Sequence, residues 1–266
     1  MIDILEPAGI SPARNCPASV AQITLGGRSQ ENYLDADARR QVVLDIKSVQ
    51  ANPAVSAVVL SGPPDGAFCS GGDRSEARCI RNAHDVDEWL DSIVEFYLAV
   101  LQCKKPVIAA ISGRACGQGL QLALLCDIRI AEYKSKFSEP ELFDGVGCAI
   151  GATIIREVTS WNVMTDLVYG CREIGALTAL EHNLVNHVVK QDELLDTALH
   201  WANQLASYDP VVFEYTKGIT SKRMIDELKW CLPAAREMHK RLMLREIRDR
   251  AVASHRQCDD SSTLKL

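Results

Sequence analysis

The chain has 266 residues, of which 47% are hydrophobic and 24% charged, with a net charge of −6. This composition is ordinary for a soluble globular protein and gives enough length to bury a substantial core. The acidic balance excludes broad electrostatic binding to nucleic acid, so any anionic ligand has to be met by a local basic cluster.

The start, MIDILEPAGISPARN, has no basic-then-apolar leader, and no stretch approaches eighteen apolar residues. Neither a signal peptide nor a membrane span is expected, and a cytoplasmic location is. Residues 1–19 read as loosely structured, punctuated by Pro7, Gly9, Pro12 and Pro17. Val20 to Leu25 alternates as a strand does. Asp35 to Gln50 reads as a helix, with Val42, Val43, Ile46 and Val49 at helical spacing. Ala57 to Ser61 is a short buried strand. The loop GPPDGAFCSGGD follows, and Val86 to Gln102 is an amphipathic helix with Trp89, Ile93, Phe96, Val100 and Leu101 on one face.

Pro106 to Ile111 is another buried strand, followed by the loop SGRACGQG, an apolar helix over Leu120 to Cys126 and a strand over Asp127 to Ala131. Strand, glycine turn and helix thus recur, which predicts an α/β fold with a parallel-type sheet. From Ile150 onward the pattern is nearly all helical, ending in a long helix over Met224 to His255 with Lys240, Arg241, Arg245, Arg248 and Arg250 towards its end. The expected organisation is a loose segment over 1–19, a core over 20–205 and a helical region over 206–266.

None of the ten cysteines forms a CxxC pair or a zinc-type spacing. They read as reduced core thiols, and no metal site is expected. Cys116 and Cys148 are the alternatives as nucleophiles because they lie in glycine-rich loops, but no histidine is near them in sequence. The remaining histidines have no ligand spacing.

The two glycine loops each place small residues where a buried strand gives way to a helix. Backbone N–H groups at a helix start lack internal partners, and without a bulky side chain a ligand oxygen can approach them. One such donor from each loop would form an oxyanion hole. Tight packing is the plainer use of the same glycines. Glu141, in SEPEL, reads either as an acid/base carboxylate or as an acidic residue at a helix start.

Three blocks carry a resemblance: AFCSGGDRSE, KPVIAAISGRACGQGLQLALLCDIRIA and FSEPELFDGVGCAIGA. In this order and spacing they resemble the crotonase (enoyl-CoA hydratase/isomerase) superfamily, from about Val20 to about Asp249. The resemblance implies a repeated ββα spiral core with a helical C-terminal part, and a homotrimer or hexamer. It implies acyl-CoA thioesters as substrates and no cofactor beyond them. It places the oxyanion-hole N–H groups on Gly72 and Gln118, and the later of two hydratase glutamates on Glu141. The earlier glutamate is replaced here by Gln121, an amide that can orient a water or a substrate group but cannot take a proton. That departure puts two-carboxylate hydration in doubt.

Further details look most like the carboxymethylproline synthase members of the family: GGD, DVDEWLDSIVEFYLAVL, Gln121, PELFDGVGCAIGA and LVNHVV. The implied reaction is decarboxylation of malonyl-CoA, with or without carbon–carbon bond formation, through an enolate. His239, in REMHK, matches a histidine of that subgroup. For Gln121 and His239 a core hydrogen-bonding role is the plainer reading. Phe68, Ser70, Asp73 and Gly117 are expected to line the substrate site, with Arg28 near the CoA phosphates.

The loop GGRSQENYLD keeps Arg28 but has Gln30 and Glu31 where basic residues would be expected. The phosphates would then fall to Arg74, Arg78 or the C-terminal basic run, itself also readable as a solvated face. Alternatively, the acyl group arrives on an acyl-carrier protein. Alternatives within the superfamily are an enoyl-CoA hydratase/isomerase and a thioester hydrolase. Outside enzymes, the alternative is a crotonase-fold binding protein.

Overall fold

A computed structural model of the protein describes residues 1–5, 19–27 and 29–262, with side chains described to residue 245. Arg28, Arg248 and Arg250, named above as candidate basic groups, have side chains outside the described residues.

In chain order the elements are β1 (Ile2–Leu5), β2 (Ser19–Thr24), α1 (Ala36–Ala51), β3 (Val55–Ser61), α2 (Ser75–Cys79) and α3 (Ala83–Leu101). Then come β4 (Val107–Ile111), β5 (Arg114–Cys116), α4 (Gln118–Leu124), β6 (Ile128–Glu132), β7 (Lys136–Ser138), α5 (Ala149–Val158) and α6 (Trp161–Met164). A π-helical turn (Thr165–Tyr169) leads to β8 (Glu173–Gly175), α7 (Ala176–Glu181), β9 (His187–Val189), α8 (Leu194–Ala206) and α9 (Pro210–Ser262).

The larger sheet has the order β1-β2-β3-β4-β6-β9. Its pairings are parallel except the edge pair β1–β2. The period of two in its strands decides which residues meet which helices. Val58 and Leu60 of β3, with Ala109 and Ile111 of β4, enter the main core with the apolar faces of α1 and α3. Ala57 and Val59, with Ile108 and Ala110, enter a second cluster with Leu194, Ala198 and Ala202 of α8. Both faces are covered, which is why these strands read as unbroken apolar runs.

Local signals fix the helices. Asp35 accepts from the Ala38 N–H at 2.9 Å and starts α1. Asn82 accepts from the N–H groups of His84 and Asp85, at 2.8 and 3.1 Å, and starts α3. Such caps are worth about 1 kcal/mol each. On α3 the side chains of Val86, Leu90, Ile93, Phe96, Tyr97 and Val100 are buried, each worth about 1.5–3 kcal/mol if apolar and fully removed from water. Lys217 of α9 donates to Asp127 Oδ2 at 2.6 Å and to the Lys105 carbonyl at 3.1 Å, tying α9 to the sheet.

A second ladder runs β5-β7-β8, parallel then antiparallel. Isolated parallel bridges Cys69↔Ala115 and Leu34↔Gly72 extend it. Each repeat therefore gives one strand to the large sheet and one extended stretch to this ladder, the ββα spiral that the sequence leads one to expect.

Several expectations need correction. Residues 2–5 form β1, because Ile2 and Leu5 complete the hydrogen bonding of an otherwise bare β2 edge. The segment after Ile150 is not all helix: β8 and β9 are too short for periodicity to reveal and exist through their partners β7 and β6. The last helix begins at Pro210, not Met224. Among the described residues, no helix is long and apolar enough to cross a membrane.

Candidate active site

The ladder brings the two glycine loops together. The Asp73 N–H donates to the Leu34 carbonyl at 2.9 Å, and the Cys116 N–H donates to the Cys69 carbonyl at 2.9 Å. Little room is left between the loops. A Cβ on Gly71 would lie 3.2 Å from the Cys116 carbonyl oxygen, and one on Gly119 would lie 2.1 Å from that of Cys69. Gly117 precedes α4 with φ of +52°, a conformation that disfavours side chains. Gln118 opens the helix, and its side chain lies where a Gly72 Cβ would be, 2.6 Å from Nε2. Gly72 and Gln118 are thus neighbours across the two loops. Among the described residues, neither N–H has a backbone acceptor. Arg39 is fully buried and holds the Gln118 side chain in place through Oε1 at 3.5 Å. Glu76 neutralises Arg39 with two contacts of 2.9 and 3.0 Å.

One turn along α4, Gln121 points at the carboxylates. Its Nε2 donates to Glu141 Oε1 at 2.9 Å and to Glu139 Oε1 at 3.0 Å. Its Oε1 accepts from the Tyr97 hydroxyl at 2.7 Å. The carboxylates assign the amide orientation: turned the other way, Oε1 would face their acceptor oxygens and both of those hydrogen bonds would be lost. A Cβ on Gly117 would lie 3.8 Å from Glu139 Oε1 and 3.9 Å from Glu141 Oε1, so both carboxyls abut the second glycine loop. Cys148 completes the cluster: its Sγ and one oxygen of each glutamate lie within 4.8 Å of one another.

Burial sets the charges. It pushes the Glu139 carboxyl well above the usual 4.5, and the neighbouring Glu141 charge pushes the same way. Glu141 is also raised by burial, opposed by hydrogen bonds from Cys148 and Gln121. Tyr97 is raised by burial and by both carboxylates, so it remains a donor. Burial pushes the Cys116 and Cys148 thiols up as well, which keeps them protonated and removes them as nucleophiles. Among the eight described cysteines, Cys79 is exposed and Cys171 half-buried, so these two are not core thiols.

The other expected site residues divide. Phe68 is a correction: its side chain is fully inside the main core, and its carbonyl is taken by Asn32 Nδ2 at 2.6 Å. Packing against the sheet removes it from any ligand surface. Ser70 donates to Glu31 Oε2 at 3.0 Å. Asp73 Oδ1 accepts from the Ser75 N–H at 2.8 Å, at the start of α2. Arg28 lies outside the described residues.

His239 is buried, with its ring edge-on to Trp89 at 5.2 Å. Burial lowers its pKa to about 4, so it is neutral at pH 7. Among the described residues, no hydrogen bond ties it to Gln121 or Glu141. The adjacent Met238 instead packs on Gly147, in the loop after Glu141.

The basic candidates are partly engaged. Arg74 pairs with Asp144, Lys240 with Asp87 at 2.7 Å, and Arg241 with Glu237 at 2.7 Å.

Three residues of this site lie outside the sequence expectation. Arg39 sits one turn before Val42 and Val43 on the buried face of α1, a spacing that flags it. Tyr97 lies four residues after Ile93 and three before Val100, also on a buried face. Glu139 is two residues before Glu141, and an extended chain puts such residues on one face.

The family model described as enoyl-CoA hydratase/isomerase matches residues 15–255. Among curated relatives, the carboxymethylproline synthase of Pectobacterium carotovorum is 34% identical, over 83% of this chain and 88% of the relative. The short-chain-enoyl-CoA hydratase of Clostridium acetobutylicum is 30% identical, over 77% and 78%. A solved enoyl-CoA hydratase/carnithine racemase from Magnetospirillum magneticum superposes with a TM-score of 0.72 at 28% identity, over 76% of this chain and 77% of that one.

Proposed function

The chain belongs to the enoyl-CoA hydratase/isomerase (crotonase) family, and from that premise we propose that this acyl-CoA-processing enzyme stabilises a thioester enolate made by decarboxylating malonyl-CoA. The thioester oxygen sits between the N–H groups of Gly72 and Gln118, where enolate charge develops. Losing one such donor typically costs about 3–4 kcal/mol of transition-state stabilisation. Glu141 moves a proton or orients the reacting partner, and the enolate then either takes a proton or attacks an electrophile to form a carbon–carbon bond.

The observation carrying this reading is the amide at Gln121. It spans Glu139 and Glu141 and is held by Tyr97. A group so placed can position a carboxylate or water but cannot be a second base. The chemistry calls for no metal or redox group beyond the thioester. CoA is the favoured carrier, with an acyl-carrier protein as the alternative. His239 remains a substrate-positioning proposal, acting from α9. The exposed apolar side chains Val211, Val212, Tyr215 and Ile219 on α9 support burial against further copies in a trimer or hexamer. A cytoplasmic location belongs to the same reading.

A second reading is favoured by Glu139. It returns a second carboxyl to the site from another position, so hydration of an enoyl-CoA is the alternative, as the name of the Clostridium relative indicates for that protein. Malonyl-CoA and crotonyl-CoA separate the two. Carbon dioxide release, abolished in Glu141→Ala with binding retained, is the expected result. Rapid crotonyl-CoA hydration without decarboxylation would replace the first reading with the second.

A further inference from the structure

Glu139 has no counterpart in a single-glutamate site. Its side chain is 0% exposed. Oε1 accepts from Gln121, while Oε2 has no hydrogen-bond partner among the described residues. The groups facing it are Tyr97 from α3, Gln121 from α4, Cys116 from β5, Cys148 at the start of α5, and Glu141 from its own segment, with Asp144 acting on Glu141 in turn. Among the described residues, no Lys, Arg or His pairs with Glu139 or Glu141 (Arg74 is taken by Asp144). A buried carboxylate whose donors, Gln121 and Cys148, are both neutral, with no cation and an anionic neighbour, is a poorly tolerated state.

An acid in the same place has a natural partner, because an oxygen of Glu141 lies within 4.8 Å of one of Glu139 and the two carboxyls face each other as hydrogen-bond partners. We infer that Glu139 carries a hydrogen at neutral pH and donates it to Glu141, so that the carboxylate proposed to react is half of an acid–carboxylate pair. This rests on the proposed role of Glu141 only for its consequence, not for its geometry. The pair carries one negative charge rather than two. A second charge would oppose an enolate forming beside Gly117 and Gln118. Glu139 acts through Glu141, as a positioning residue that fixes its orientation and basicity. The burial that raises Glu139 above the ordinary carboxylate range acts in the same direction.

Infrared difference spectra of the full chain, taken between about pH 5 and about pH 9, read the protonation directly. A protonated-carboxyl band is expected at neutral pH. It disappears in Glu139→Gln and is lost from the wild type as pH rises. Should Glu139→Gln fail to fold, Glu139→Asp keeps a carboxyl in the same wall, and the band is expected to move.

The rate profile supplies a second readout. The wild type shows two transitions, one for each proton of the pair. Glu139→Gln shows only the lower one, and kcat falls more than KM changes, because Glu141 has lost the acid that sets its basicity. No band in the wild type at neutral pH overturns the inference, whatever the substrate proves to be. Stoichiometric zinc in the purified protein, lost in Glu139→Gln, overturns it as well, since the cluster would then hold a cation. A band present in a protein that turns over no acyl-CoA supports the pair and defeats the proposed function.

Discussion

Glu139 and Glu141 are joined through one amide nitrogen: Gln121 Nε2 lies 3.0 Å from an oxygen of the first and 2.9 Å from an oxygen of the second. The amide keeps a buried acid and a half-buried one side by side, and Tyr97 behind it holds the amide's other end.

Glu141→Gln keeps the shape of the site and removes its basic oxygen. Turnover of malonyl-CoA should fall by roughly 10²–10⁴, the usual contribution of a positioned acid or base. Calorimetry should show substrate binding largely unchanged. Wild-type kcat in this variant would remove Glu141 from the mechanism.

Gln121→Glu replaces the bridging donor with a third acid. Two hydrogen bonds are lost, and like charges meet in a buried cluster. A destabilisation of about 1–3 kcal/mol is expected, larger at pH 8 than at pH 5 because the added group repels most when ionised. Urea denaturation at the two pH values measures it. Hydration of crotonyl-CoA by this variant with intact stability would contradict the arrangement.

Tyr97→Phe leaves Gln121 Oε1 without its donor. The fold should lose about 1–2 kcal/mol, and the amide becomes able to turn. A fall in kcat greater than the change in KM is the expected signature, since orientation rather than affinity is disturbed.

Gly72→Ala places a methyl group 2.6 Å from Gln118 Nε2. That atom ends a flexible side chain, so the fold should survive with a small change in Tm. Gln118 must move off Arg39, and the methyl crowds the oxygen-binding position. Turnover should drop about tenfold or more, a partial loss of a donor worth roughly 10²–10³.

Stability should depend on pH in a defined direction. Both glutamates are raised above the usual 4.5, so the folded state binds more protons than the unfolded chain above that value. The stability tied to their protonated forms is full below about 4.5 and is lost as pH rises through the folded pKa values. Denaturant midpoints across neutral pH should therefore decline, with a shallower slope in Glu139→Gln. A steeper slope in that variant would show the sign to be wrong.

The sequence by itself determined the elements that announce themselves locally. Val42, Val43 and Ile46 have helical spacing, β3 and β4 are apolar runs, and three ordered motif blocks place Gly72, Gln118, Gln121 and Glu141. Tertiary structure decided what local pattern cannot carry. β1, β8 and β9 exist because partner strands satisfy their backbone groups, and Phe68 is a core residue because the sheet covers it. Glu139 looks like a solvated acid in SEPEL. Only packing by Tyr97, Gln121 and Cys148 strips it of water, and that desolvation turns a second glutamate two residues upstream into part of the site.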